Sequence, residues 1–301
     1  MTMAEMQLPT AGSKEQIVTI WLNTAFQPRF RVIDGLTIRC AESKARGHTE
    51  ALLLGPWPES LFAFEPIWGQ LAEQARLVAI DLPGLGHSQR RDVPLSPGAM
   101  GDFVIAAADA FGLARPHVVG PGTGTAPALF AAARHRGRLA SLVVGGGAAA
   151  VPVQLGGVVR DWVQTQSLAA LRRADPQQLV TAALSGITRH VLPDAVRSDY
   201  ISAYQGDRMA ESIRYLRGCV ADLPVLAGLL PQVDTPVQII AGARDRVVPL
   251  ANAEFLHHKL PHSKLDVLDA GHFTWEDAAP EYAALVTAWW RENGPACGPK
   301  E

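Results

Sequence analysis

Cysteine, net charge and long apolar runs are all scarce in this sequence, and each scarcity removes a class of protein. Its three cysteines, Cys40, Cys219 and Cys297, lie far apart and form no CxxC pair. Neither a disulfide framework nor a zinc site is expected from such spacing. Lys and Arg number 27 against 29 Asp and Glu, a formal net charge of −2. So even a balance leaves no electrostatic footprint for nucleic acid or an anionic membrane, and a neutral small molecule is the expected partner. The longest apolar stretch, Leu139 to Val153, is glycine-rich, contains Pro152 and is too short to span a bilayer. The N-terminal MTMAEMQLPTAGSKEQ lacks the charged-then-apolar profile of a signal peptide, so a cytoplasmic protein is expected. Nothing in the composition speaks to oligomeric state.

Apolar residues are abundant, at 48% of 301, enough for a sizeable core in one catalytic domain with an insertion. After a polar tail over residues 1–25, short β-rich runs (FRVI, LTIRCA, ALLL, RLVAID, HVVG, SLVVG, VQIIAG, KLDVLD) alternate with alanine- and leucine-rich stretches of helical period. Alternation of this kind predicts a mostly parallel, doubly wound α/β sheet covered on both faces. The pattern occupies residues 26–150 and 232–292, and residues 293–301 read as a loose tail. Between the two halves, residues 151–231 are almost strandless. Helical periods run over Val158–Leu171, Gln177–Leu192 and Arg208–Leu226, with breaks at Pro176, Pro193 and Pro224. The segment is predicted to be an inserted helical cap, and Tyr200, Tyr204, Tyr215 and Trp162 are its candidates to face a substrate pocket.

The most informative stretch is His117-Val-Val-Gly-Pro-Gly-Thr-Gly-Thr-Ala-Pro-Ala-Leu-Phe, a buried strand running into a glycine-rich turn and then a helix. In a G-x-Nu-x-G elbow the small flanking residues let the chain turn tightly enough to lift the central side chain above the sheet. Gly120 and Gly124 are those flanks, and Gly122 is the centre. Two later strands end in Ala243-Arg-Asp-Arg-Val-Val-Pro and Ala270-Gly-His-Phe-Thr-Trp. Asp245 and His272 therefore stand just past carboxyl edges of the sheet, where open α/β sheets bind ligands. Their order, elbow then acid then histidine, suits an Asp that fixes the imidazole tautomer and stabilises its charged form.

With these segments in order, residues 28 to 292 resemble the α/β-hydrolase superfamily. Asp81-Leu-Pro-Gly-Leu-Gly-His-Ser is similar to its D-x-P-G-x-G-x-S turn, and Gly55-Pro-Trp-Pro-Glu-Ser matches the last four residues of the H-G-W-P-E-S-like loop of epoxide hydrolases and haloalkane dehalogenases. The resemblance implies a helical cap over a largely apolar pocket and no cofactor or metal. It implies oxyanion donors at the backbone N–H groups of Trp57 and Thr123. On the epoxide branch it also makes Tyr200, Tyr204 or Tyr215 the group that polarises the epoxide oxygen.

Two departures stand out: Gly55-Pro56 replaces the usual His-Gly of the oxyanion loop, and Gly122 replaces the nucleophilic Asp or Ser. Glycine has no lone pair to attack carbon. Three readings of the vacant elbow stay open. A His272–Asp245 dyad could act as general base on water or on an acidic substrate proton in ester, epoxide, oxygenase or lyase-type chemistry. Alternatively the chain is a degenerate relative that binds a small ligand, or Gly122 replaces the nucleophile of an ordinary hydrolase by construction or recent change. A dinucleotide turn is excluded by spacing, because Thr125 stands where G-x-G-x-x-G needs its third glycine and no acid occurs from Ala126 through Val144. The other histidines lack partners at metal-ligand spacing, and His257, His258 and His262 suit a helix C-terminus.

Overall fold

The computed structural model describes residues 26–44, 49–93 and 95–294. The expected tail at 1–25 and the last residues from 295 lie outside that range. Eight strands form one sheet: β1 (Arg29–Ile33), β2 (Leu36–Glu42), β3 (Glu50–Leu54), β4 (Arg76–Ile80), β5 (His117–Pro121), β6 (Leu142–Gly145), β7 (Val237–Gly242) and β8 (Ser263–Leu268). Their order is β1-β2-β4-β3-β5-β6-β7-β8. β1 and β2 are antiparallel to their neighbours, and every pairing from β4 to β8 is parallel. Every run that the sequence marked as β-rich is a strand.

Parallel strands need crossovers, and helices supply them on both faces: α1 (Glu65–Ala72), α2 (Pro97–Ala110) and α3 (Thr125–Arg134) in the first half, then α9 (Ala251–Lys259), α10 (Thr274–Asp277) and α11 (Ala279–Asn293) after the insertion. Ser96 starts α2 by accepting from the Ala99 N–H, with Pro97 in its first turn. Covered on both faces, the central strands are continuous apolar runs. Leu52, Leu53, Val118, Val119, Val143, Val144 and Ile239 are fully buried, each worth about 1.5–3 kcal/mol relative to exposure. Edge strands β1 and β8 lose that burial.

Between β6 and β7 stand only helices: α4 (Gly157–Gln164), α5 (Ala169–Arg173), α6 (Pro176–Leu184), α7 (Asp194–Ala203) and α8 (Arg208–Leu229). Two expectations need correction. Pro224 lies inside α8 rather than ending it; the lost N–H is outweighed by packing of its neighbours Leu223 and Leu226, both buried. The predicted helix at Gln177–Leu192 stops at Leu184, and a separate α7 begins after Pro193, with Asp194 favourably placed in its first turn.

Polar ties hold this segment to the sheet. Arg39 on β2 makes a bidentate pair with Asp199 on α7, at 2.7 and 2.9 Å, and Ser60 donates to the same carboxylate at 2.6 Å. Burial alone would raise the Asp199 pKa, but hydrogen bonds from His87 and Arg39 and their charge outweigh it and hold it at about 2. The Asp277 carboxylate accepts from the backbone N–H groups of Thr188, Arg189 and His190 at 2.8–3.0 Å.

Candidate active site

The elbow forms where the sequence placed it. β5 ends at Pro121, a single 3₁₀ turn covers Gly122–Gly124, and α3 follows. Gly122 has φ +54°, the left-handed conformation that glycine adopts without steric cost. A Cβ on Gly120 would lie 2.6 Å from the Gly124 carbonyl oxygen, so that flank has to be glycine. A Cβ on Gly122 would meet the Pro56 Cβ at 3.3 Å and the Trp275 ring at 3.7 Å. The two departures from the family pattern are therefore neighbours in space, with the Pro56 side chain reaching toward the position of the absent one.

His272 follows β8 and Asp245 follows β7. The His272 Nδ1 lies 2.7 Å from Asp245 Oδ2. Asp245 is itself held, since its Oδ1 accepts from the backbone N–H groups of Val247 and Val248, each at 2.8 Å. A carboxylate at Nδ1 keeps the proton there and leaves the Nε2 lone pair free. Phe273 and Trp275 pack edge-on against the imidazole, with centroids 4.9 and 6.0 Å away. Gly146 also comes so close that a Cβ would lie 3.5 Å from His272 Cε1 and 3.4 Å from the Trp275 ring. That glycine wall, continuing into Gly147, was missed in the sequence; its signal was the run Gly145-Gly-Gly at the end of a buried strand.

His272 and Gly122 open into one cavity of about 700 Å³, counting solvent at its mouth. Trp57 and Thr123, the expected oxyanion donors, are among the residues that line it, along with Ala126, Gly146 and Gly147 from the sheet side. The insertion contributes Val159 and Val163 from α4, and Leu216, Cys219 and Val220 from α8. Burial pushes the Cys219 thiol up to about 12. His272 is the only histidine, and no Asp, Glu, Lys or Arg is present, among the residues that line the cavity. Trp57 is anchored to the insertion, its indole N–H donating to Ser212 Oγ at 2.8 Å.

The aromatic candidates fall elsewhere. Tyr200 and Tyr204 are fully buried: the Tyr200 hydroxyl donates to Glu276 Oε1 at 3.0 Å, and the Tyr204 hydroxyl donates to the Glu59 carbonyl and accepts from the Gly86 N–H. Tyr215 borders a separate, smaller cavity beside Arg90 and Leu95. Trp162 packs edge-on against Trp57, with centroids 6.4 Å apart, behind the lining. All four cap aromatics serve packing and anchoring because their polar tips already have partners or their rings back other walls.

The Asp81 turn braces the end of the loop that carries Trp57. Burial raises Asp81 to about 6, against the pull of Arg39. Its oxygens accept from the N–H groups of Leu61 and His87 at 2.6 and 2.9 Å. A Cβ on Gly86 would lie 2.2 Å from the Asp81 carboxyl carbon, which accounts for that glycine. Two other buried acids escaped sequence reasoning. Glu59, in the oxyanion loop, accepts from the Trp275 indole at 2.8 Å, and Glu276 accepts from Tyr200.

Three other histidines have structural partners. His117 meets Ser141 at 2.8 Å and stacks on Trp290, and burial lowers its pKa to about 4. His257 meets Ser263, and His135 meets Asp102. Among the described residues no cluster of three or more potential metal ligands occurs, and no helix is long and apolar enough to cross a membrane.

This chain belongs to the alpha/beta hydrolase fold family, whose model matches residues 52–279. It is 26% identical over 245 residues to the pimeloyl-[acyl-carrier protein] methyl ester esterase of Neisseria meningitidis serogroup A, covering 77% of this chain and 74% of that protein. It is 26% identical over 223 residues to a 2-hydroxymuconate semialdehyde hydrolase of Pseudomonas putida, covering 71% and 76%. Among solved structures, an alpha/beta hydrolase fold protein from Burkholderia ambifaria superposes with a TM-score of 0.75 at 25% identity, covering 86% of this chain and 96% of that one. The haloalkane dehalogenase DbeA from Bradyrhizobium elkani shares the fold, with a TM-score of 0.75 at 20% identity over 89% and 98% of the two chains. Both of these sequence relatives are named as hydrolytic enzymes, another is an acetyltransferase component of an acetoin cleaving system from Pseudomonas putida, and the chain takes its place among the hydrolases of that superfamily.

Proposed function

We propose that this protein hydrolyses a small, mainly apolar ester without a covalent intermediate, using His272 as general base. The observation that carries the reading is an ordered Asp245–His272 pair that opens onto an apolar cavity beside an elbow with no nucleophilic side chain. His272 Nε2 takes a proton from water held in the space beside Gly122, and the resulting hydroxide attacks the carbonyl carbon. The backbone N–H groups of Trp57 and Thr123 receive the developing oxyanion. Collapse expels the alkoxide, which His272 protonates, returning the base to its starting state. Asp245 holds the imidazole and stabilises its transient charge.

An ester fits better than an epoxide, because no tyrosine hydroxyl lines the cavity to protonate an opening ring. The name of one relative, a methyl ester esterase, points the same way. The absence of Asp, Glu, Lys and Arg from the cavity lining favours a neutral substrate.

A panel of neutral aliphatic and aryl esters tests the reading. Turnover by the chain should fall by about 10²–10⁴ in His272→Ala. Undiminished turnover in that variant would sink the mechanism, and tight ligand binding without turnover in the parent would make the protein a binder. A second reading, abstraction of a proton α to a carbonyl by the same dyad, is favoured by the missing nucleophile. Deuterium uptake from heavy water into an unhydrolysed ketone, lost in His272→Ala, would select it.

A further inference from the structure

Beneath the elbow, two carboxyl groups meet where water has no access. Glu59 is 0% and Glu276 4% exposed. Glu59 belongs to the loop that carries Trp57, and Glu276 to α10, just after His272. Each has one oxygen satisfied, Glu59 Oε1 by the Trp275 indole and Glu276 Oε1 by the Tyr200 hydroxyl, at 2.8 and 3.0 Å. The second oxygen of each, Glu59 Oε2 and Glu276 Oε2, has no donor from any other group. The two side chains lie within hydrogen-bonding reach of each other. Two carboxylates in such contact cannot both be ionised, and one proton between them satisfies both orphan oxygens.

We infer that Glu59 and Glu276 share a single proton, and that this acid–carboxylate bond is the fastening that sets the Trp57 loop against the His272 loop. Both are positioning residues. Neither lines the cavity, but the Trp275 ring that Glu59 holds packs against His272 and sits 3.7 Å from where a Gly122 side chain would begin. Loss of the bond would let the oxyanion donors drift from the base. The groups facing the pair are Trp275 and Asp277 on α10, Tyr200 from α7, and Tyr204 just past it. Asp277 repels a charge on Glu276, whereas Asp199 is already paired with Arg39, so burial and Asp277 favour retention of the proton.

Burial raises both groups, Glu276 to about 8 from an ordinary 4.5, and Glu59 well above its usual range with added repulsion from Glu276. An acid whose folded pKa is raised is protonated more readily in the folded chain. Its contribution to stability is full below the ordinary carboxylate range and declines as pH rises to about 8.

The test is the thermal midpoint between about pH 5 and about pH 9 for the parent, Glu276→Gln and Glu59→Gln, with infrared spectra at neutral pH. A glutamine donates its amide to the remaining carboxylate and needs no shared proton. The midpoint of the parent should fall relative to either variant by about 2–4 °C per pH unit across the window, and its spectrum should hold a protonated-carboxyl band that both variants lack. Parallel midpoint curves with no such band in the parent would overturn the inference. The infrared test of the parent stands even if a variant does not fold.

The positioning role rests on the ester reading: Glu276→Leu should lower kcat with KM little changed, and Glu276→Gln should restore it. An equal kcat in Glu276→Leu would refute that role. If the parent turns over no ester, the proposed reaction fails while melting and infrared still decide the shared proton.

Discussion

Two sides of the same cavity have been treated in opposite ways. At the ends of β7 and β8 the acid and base are complete: Asp245 is held by two backbone N–H groups, and His272 is braced by Phe273, Trp275 and Gly146. At the end of β5 the elbow keeps its backbone shape, including φ +54° at Gly122, but carries no side chain. Had the whole site drifted without use, the buried Asp245–His272 pair would be expected to loosen as well, since a contact whose side chains are 9% and 3% exposed contributes little unless its geometry is good. The difference supports the proposed reading, in which His272 and the Trp57 loop carry the reaction without a side chain at the elbow.

The strongest way to break that comparison is at Asp245. Asp245→Asn keeps the shape but puts an amide where the carboxylate fixed the imidazole proton, so Nε2 carries the proton for part of the time and the charged ring is no longer stabilised. Ester turnover should drop by about 10²–10⁴, mainly in kcat. Loss of less than tenfold would mean that His272 does not act as a base and that the two sides are alike in being structural.

A medium effect sharpens the comparison at the elbow. A side chain at Gly122 meets two obstacles, the left-handed backbone, at about 1–2 kcal/mol, and the Pro56 Cβ at 3.3 Å. Gly122→Ser should therefore destabilise the protein, and Pro56→Gly should recover part of the loss despite the flexibility it adds to the loop. Urea unfolding of both single variants and the double variant should give a coupling of about 0.5–2 kcal/mol. Additive effects would show that proline and glycine arrived independently, and that Gly122 is not fitted to its loop.

Much of this was legible because periodicity and punctuation report the sheet directly. Strands buried on both faces leave unbroken runs such as VQIIAG, and Gly120-x-Gly122-x-Gly124 between a strand and a helix fixes the elbow. Asp245 and His272 could be placed because each sits within a few residues of a strand's carboxyl end. The insertion was harder to read. Its helices pack through tertiary contacts that overrule local signals, as Pro224 inside α8 demonstrates. Glu59 and Glu276 are 217 residues apart in the chain, and no local pattern tells a buried acid that meets another from one in solvent. The direction of an aromatic side chain on α7 is equally silent, which is why Tyr200 and Tyr204 were expected at the pocket and found under it.

The smallest effect on turnover belongs to that last pair. Tyr200→Phe removes a buried hydroxyl that donates to Glu276 Oε1 at 3.0 Å and leaves the oxygen unpaired, so stability should fall by about 1–3 kcal/mol. Because the hydroxyl does not reach the cavity, kcat and KM for an ester should stay within about twofold of the parent at temperatures where both are folded. A selective collapse of epoxide turnover in Tyr200→Phe, with ester turnover intact, would instead mean that α7 swings its tyrosine into the cavity when substrate binds. The insertion, rather than the elbow, would then supply the group that the sheet side lacks.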